Sequence, residues 1–288
     1  MRALVDEIAS RFASSATLDD DTRADARREA RLLVAAALDW SPGDVARRIE
    51  HAVAPDDRER LLGLAGRRAQ GEPLAYVVGT VSFRHLTLRV DPRVLIPRPE
   101  TEVVVETALQ AVASRPGGVA IDIGTGSGAI ALALATEGRF ESVIATDVSA
   151  DALEVARENA VARNPDVPVV FRHGTDFAPL AGVVARVIVS NPPYIAYDEA
   201  DALPASVRDW EPATALFASD GGMSRYDVML AEGRRYLEPE GALVLEVDAR
   251  RAGETAARAI RYGWLGVRLV RDLAGRERVL VARRPAQA

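Results

Sequence analysis

The sequence predicts an α/β protein, with a mostly parallel sheet carrying helices on both faces behind a smaller helical segment. Three observations predict it. From residue 119 onward, short runs of Val, Ile and Ala alternate with helix-length stretches, the signature of strand–helix–strand units. A glycine cluster, Gly124-Thr125-Gly126-Ser127-Gly128, stands where the first run gives way to a helix. Residues 3–71, by contrast, show helical spacing with little alternation.

In that first segment, residues 23–38 place Ala24, Ala30, Leu33, Val34, Ala37 and Leu38 among charged neighbours, an amphipathic helix. Thr17, Asp19 and Asp20 are the candidate caps for its start. Ser41-Pro42-Gly43-Asp44 is a turn into a shorter helix, and Pro55 opens another that runs to about Gly71. A solvated helical cap and a partner-docking module fit this pattern equally well. Between Gly71 and Pro99 the character changes. Tyr76-Val77-Val78 and Leu86-Thr87-Leu88-Arg89-Val90 favour strands, with Gly79 and His85 between them, which predicts a hairpin linker. Pro99 then opens a helix to about Ala113, with Glu100 and Glu102 at the positive end of its dipole.

The expected strands that follow are 119–123, 142–146, 169–172, 183–190 and 242–247. Helices are expected from Ala129, from Ala150, around 226–236 and from about Ala252. Two late strands, 267–270 and 278–282, flank Gly275 too tightly for a crossover helix, so they must pair antiparallel. The resulting division is 1–72 helical, 73–98 linker and 99–288 for the α/β domain.

Composition narrows the function classes. There is no cysteine, which excludes disulfides, thiolate catalysis and cysteine metal sites. His51, His85 and His173 lie far apart with no ligand spacing, so no metal is expected. No apolar run approaches the roughly 18 residues that span a bilayer, and the first residues lack a secretion signal, so a cytoplasmic protein is expected. A net charge of −6 argues against a protein that coats nucleic acid.

Chemistry concentrates after the strands. The glycines at 124, 126 and 128 allow a tight turn and close approach of a ligand to the backbone. Asp147 ends the second strand, where an acid chelates ribose hydroxyls. Asp176 follows the third strand, where an acid accepts from an adenine amino group, with Phe177 available to cover the ring. Asn191-Pro192-Pro193-Tyr194 follows the fourth strand; its prolines hold Asn191 extended and make a rigid platform. Asn191 and the Pro192 carbonyl can accept both hydrogens of a planar NH2 group while Tyr194 stacks on it. Together these residues read as a site for S-adenosylmethionine beside an acceptor nitrogen.

With those motifs in view, the chain resembles the protein-(glutamine) methyltransferases that modify the Gly-Gly-Gln loop of peptide chain release factors. The resemblance also runs through Gly71-Glu72-Pro73-Leu74-Ala75-Tyr76, Leu95-Ile96-Pro97-Arg98-Pro99-Glu100-Thr101-Glu102 and Glu211-Pro212-Ala213-Thr214-Ala215-Leu216. It implies a class I methyltransferase domain with a seven-stranded sheet and an antiparallel last strand, behind a helical domain that docks the release factor. It further implies that Asn191, Pro192, Pro193 and Tyr194 hold the substrate glutamine, with Asn191, Pro192 and Tyr194 serving the chemistry. Gly124, Thr125, Gly126, Ser127, Gly128, Asp147, Asp176 and Phe177 are the expected cofactor contacts, and a monomer is expected. Two departures stand out. Thr175-Asp176-Phe177 permits two registers for the acid after the third strand, and Asp248 follows Glu246-Val247 where many relatives have glycine. Competing readings are glutamine methylation of a ribosomal protein, adenine methylation of nucleic acid, and a non-enzymatic binding module. Residues 1–70 carry twelve arginines against thirteen acids, which disfavours the nucleic-acid reading. The intact glycine loop, Asp147 and the complete Asn191–Tyr194 motif disfavour the binding module.

Overall fold

The computed structural model describes residues 1–286. By internal contacts the chain forms two units: Met1–Thr80 with Val90–Pro92 and Asp201–Glu211, and Val81–Arg89 with Arg93–Ala200 and Pro212–Ala288. The first is built from α1 (Arg2–Ala13), α2 (Asp20–Ala24), α3 (Ala26–Ala37), α4 (Pro42–Arg47), α5 (Pro55–Ala69) and α6 (Leu74–Val78). Leu4, Val5, Ile8 and Phe12 of α1 bury against Leu33 and Val34 of α3 and Leu61 and Ala65 of α5. Among the candidate caps it is Asp19 that acts, accepting from Thr22 N and starting the separate short helix α2. Ser41 and Asp44 form a reciprocal capping box at α4. Glu72 is buried and accepts from Arg67, while Arg68 donates to Glu29 (2.7 Å) and to the Glu72 carbonyl (3.2 Å).

Tyr76–Val78, expected as a strand, is helical. Pro73 precedes α6, Gly79 (φ 81°) closes it, and burial of Tyr76 and Val77 overrides their strand preference. The hairpin comes later, as β1 (Thr80–Phe83) and β2 (Leu86–Arg89). Asp201–Glu211, expected within the α/β domain, groups with the N-terminal helices. There Trp210 Nε1 would lie 3.6 Å from a Cβ placed on Gly71.

The second unit continues with α7 (Pro99–Val112), β3 (Val119–Ile123), α8 (Ala129–Glu137), β4 (Ser142–Asp147), α9 (Ala150–Arg163), β5 (Val169–His173) and β6 (Ala185–Ser190). Single-turn helices α10 (Ala205–Arg208, in the first unit) and α11 (Ala213–Leu216) precede α12 (Ser224–Glu232), β7 (Leu237–Glu246), α13 (Ala252–Arg261), β8 (Leu265–Arg271) and β9 (Glu277–Arg283). Seven strands pair in the order β5-β4-β3-β6-β7-β9-β8, parallel except where β9 meets β7 and β8. Alternate strand residues feed two cores. Ala120, Val187 and Val244 meet α7 and α8, and Ile121, Ile188 and Leu243 meet α12 and α13. Arg84 (φ 51°) at the hairpin turn donates to Glu137 (2.7 Å), Glu106 (3.1 Å) and the Glu102 carbonyl (3.1 Å), tying the hairpin to α7 and α8. Among the described residues no helix is long and apolar enough to cross a membrane.

The order in which strands are added to the sheet reverses between the parallel neighbours β3 and β6, so the connections leaving these strands part and open a crevice at their carboxyl ends. Asp122 lies fully buried beneath that edge. Its Oδ2 accepts from Thr125 Oγ1 (2.6 Å) and from Ala131 N (3.1 Å), a free donor in the first turn of α8. Burial pushes the carboxyl from 3.8 up to about 7, against those two hydrogen bonds. In the unfolded chain Asp122 ionises near 3.8, so its protonated form favours the fold. This contribution is complete below the unfolded value and is lost as the pH rises through about 7. Asp122→Asn, which keeps an acceptor for Ala131, should therefore flatten part of the fall in thermal stability across that window. Tm measured against pH in both proteins checks this, and parallel curves would refute it.

Candidate active site

The glycine loop forms one wall of the crevice. Gly124, Gly126 and Gly128 all have positive φ (74°, 54° and 85°), which glycine alone adopts without strain. A Cβ on Gly124 or Gly126 would meet nothing within 4 Å, whereas one on Gly128 would sit 3.3 Å from Ala156 Cβ and Leu132 Cδ1. Two of the glycines thus keep an open cradle above bare backbone, and the third lets α8 pack on α9. Thr125 and Ser127 are buried. The Thr125 hydroxyl is spent on Asp122, and the Ser127 carbonyl accepts from Asn159 Nδ2 (2.9 Å). What Thr125 offers a ligand is therefore backbone.

Asp147 stands beside the cradle at the end of β4. Its Oδ2 accepts from Gly126 N and its Oδ1 from Ser149 N, both at 2.9 Å, so the carboxylate is aimed by backbone alone. Burial raises its pKa, and these donors oppose the rise. Each oxygen keeps acceptor capacity for a hydroxyl. An open backbone cradle flanked by an aimed carboxylate fits the nucleoside and amino-acid ends of S-adenosylmethionine. Asp176 adopts φ 49° and pairs with Arg225 at 2.8 Å. Phe177 departs from expectation. Its ring is 2% exposed and stacks on Tyr236 (4.8 Å, 16° between planes) among Leu180, Tyr226 and Trp264. The left-handed turn at Asp176 precedes a side chain that is buried in the core, away from the exposed position expected of a ligand cover.

The facing wall begins at Ser190, the last residue of β6, whose hydroxyl donates to the Ile123 carbonyl (2.7 Å) and joins the two strand ends. Asn191 Nδ2 donates to Thr101 Oγ1 (3.2 Å), Thr101 Oγ1 to Glu246 Oε2 (2.6 Å), and the Tyr194 hydroxyl more weakly to Glu246 Oε1 (3.4 Å). Glu246 is 1% exposed, and burial pushes its carboxyl up to about 7, against the pull of Thr101 and Arg278. Burial and the neighbouring Glu246 also hold the Tyr194 phenol well above its usual range. Gly222 (φ 85°) lies against this motif, where a Cβ would collide with the Tyr194 carbonyl oxygen. Beyond Tyr194, Glu199 pairs with Arg250 (2.7 Å) and Arg251 (2.8 Å), which also hold Asp248 at 2.6 Å each. Asp248, unusual in the sequence, is thus the second acid of a four-charge cluster that anchors the chain leaving the platform.

Sequence reasoning gave Thr101, Glu246 and Gly222 no role. Thr101 and Glu246 stand 145 positions apart, and Thr101 is 90 from Asn191. Only their placement within the two quoted motif segments could have drawn attention to the first two.

Comparison with known proteins agrees with this architecture. Residues 13–79 match the family described as PrmC N-terminal domain, and residues 101–224 that described as Methyltransferase small domain. The release factor glutamine methyltransferase of Agrobacterium fabrum is 37% identical over 265 residues, covering 91% of each chain. That of Nitratidesulfovibrio vulgaris is 40% identical over 248 residues, covering 83% of each. A methyltransferase from Pyrococcus furiosus superposes with a TM-score of 0.54 at 21% identity, over 81% of this chain and 100% of that one. The last likeness is one of fold, that of the class I methyltransferases. At such identity and coverage, the chain belongs to the release factor glutamine methyltransferase family.

Proposed function

We propose that the protein transfers a methyl group from S-adenosylmethionine to the side-chain amide nitrogen of the glutamine in the Gly-Gly-Gln loop of release factors. Family membership supports the substrate, and one observation carries the chemistry. Asn191 is held by its Nδ2, which leaves Oδ1 with no hydrogen bond among the described residues and ready to accept. An amide nitrogen is a poor nucleophile because its lone pair is delocalised into the carbonyl. Asn191 Oδ1 and the Pro192 carbonyl would accept its two hydrogens, fix its plane and favour the positive charge that grows on it during attack. Tyr194 would stack on that plane, and Pro193 keeps the platform rigid. Gly124, Gly126 and Asp147 would hold the cofactor, with Thr125, Ser127, Gly128 and Asp176 shaping the same edge. The bound cofactor supplies an electrophilic sulfonium methyl. Placement of the nitrogen by these residues can supply roughly 7–11 kcal/mol of the barrier reduction. The nitrogen's proton leaves to water after transfer.

Residues 1–72 would dock the folded release factor, because the platform grips little beyond an amide and remote contacts must select the protein. Near balance of charge in residues 1–70 supports a protein partner over nucleic acid. We place the protein in the cytoplasm, acting as a monomer.

Mass spectrometry of release factors incubated with the protein and isotopically labelled cofactor tests the reading. Label on the Gly-Gly-Gln glutamine is expected, and label elsewhere, or on an adenine-containing oligonucleotide instead, would overturn it. Asn191→Ala should lower kcat by about a hundredfold or more, on the order of 2.7–4 kcal/mol, with cofactor Kd measured by calorimetry nearly unchanged. Asp147→Ala should do the reverse, weakening the cofactor about tenfold or more through two lost charge-assisted hydrogen bonds. An unaltered cofactor Kd would remove Asp147 from the site. Short Gly-Gly-Gln peptides should be far poorer substrates than intact release factor in kcat/KM; equal values would contradict docking.

A further inference from the structure

We infer that Glu246, acting through Thr101, sets which end of the Asn191 amide faces the substrate, so that both are positioning residues for methyl transfer. The inference rests on the functional reading above. Asn191 is useful to an NH2 substrate only with its oxygen forward. With its own NH2 forward, donor would meet donor. Nothing in the isoelectronic shape of an amide chooses between the two, so a neighbour must. Here the choice is made by a chain with one permitted direction. An ionised Glu246 can only accept, so the Thr101 hydroxyl, 2.6 Å away, must spend its hydrogen there. The Thr101 oxygen then has only lone pairs left for Asn191, and accepts from Nδ2 at 3.2 Å. Asn191 Oδ1 is thereby turned to the crevice.

Protonation of Glu246 removes the obligation. The carboxyl can then donate to Thr101, Thr101 can donate to Asn191 Oδ1, and the amide rotates with its NH2 forward. Several groups bear on this switch. Arg278 of β9 favours ionisation, while Glu100 in the first turn of α7 opposes it. Tyr194 donates weakly to the other oxygen, Tyr226 of α12 also feels the charge, and Asp248 lies two residues on. Burial outweighs the helpful contacts and raises the carboxyl to about 7, within reach of ordinary assay conditions. Neither the glutamine amide nor a sulfonium titrates there. Asp122, the other carboxyl raised to about 7, lies under the glycine loop with no hydrogen bond to Thr101 or Asn191, so the variants below separate its limb from that of Glu246.

The experiment compares full-length wild type, Thr101→Val, Thr101→Ser and Glu246→Gln on intact release factor at saturating cofactor, so that effects on cofactor affinity drop out. Wild-type kcat should fall on the acid side with a single-proton slope, about tenfold per pH unit below the limb. Thr101→Val, nearly isosteric, should lose about tenfold in kcat at pH 8 and lose the acid limb, with cofactor Kd and the KM for release factor held. Thr101→Ser should restore both rate and limb, and Glu246→Gln should abolish the limb. A purely structural role would lower the yield of folded protein or raise KM but would leave the limb in place. As a readout without turnover, the Asn191 side-chain NH2 resonances in nitrogen-15-labelled protein should shift with pH in wild type and Thr101→Ser but not in Glu246→Gln. Wild-type kcat and pH profile in Thr101→Val, or an Asn191 signal blind to pH in wild type, would overturn the inference. A wild-type protein that responds in the resonance experiment but methylates no release factor would instead overturn the functional reading.

Discussion

Parallel pairing of β3 with β6 is the interaction on which the rest of the catalytic unit depends. Ile123 stands opposite Ser190, and the serine hydroxyl closes the pair by donating to the isoleucine carbonyl. The glycine loop begins one residue past Ile123, and the acceptor motif one residue past Ser190. Their separation is thus set by the spacing of neighbouring strands, about 4.8 Å, before any side chain is placed. Both motifs are short and rigid, one through turns that only glycine tolerates, the other through consecutive prolines. Neither has slack with which to correct an error in register.

The same edge concentrates acids whose charges the protein stabilises incompletely. Asp122 and Glu246 are each lifted to about 7 by burial, and burial lifts Asp147 too, against backbone donors at Ser149 and Gly126. Three carboxyls at the ends of β3, β4 and β7 therefore share an unmet demand for positive charge. A cationic ligand at this edge would favour the ionised form of each. Arginines meet the corresponding demand at Asp248 and Asp272, farther along the rim, and both carboxyls lie below their usual range despite the desolvation that opposes it.

Much of this was legible in the chain because local rules and tertiary needs agreed. Apolar runs long enough for buried strands, glycines at a strand–helix junction and a double proline after a strand each have few other uses. The sheet, its antiparallel end and the crevice-facing motifs follow from them. Legibility failed where a long-range contact decided. Tyr76–Val78 has strand-forming residues but is helical, because Pro73 and Gly79 bound too short a segment and Val77 finds a helical core. Phe177 looked like a ligand cover, since an aromatic beside an acid after a strand is ambiguous until the backbone angle at Asp176 is known. Thr101 resembled a helix-start residue and Glu246 the tail of a strand, and neither has a local pattern that points to the other.

Glu246 has a further dependence, on the strand that covers it. It pairs with Val279 of β9, the last strand among the described residues, which lies between β7 and β8. β9 covers the edge of β7 on which Glu246 lies. Insertion of β9 withdraws that carboxyl from water and brings Arg278 toward it. Asn191 and Tyr194 follow β6, whereas the electrostatic setting of Glu246 depends on β9, so distant parts of the chain meet at this edge. Closure of the sheet edge and burial of the Glu246 carboxyl are, for this chain, the same contact.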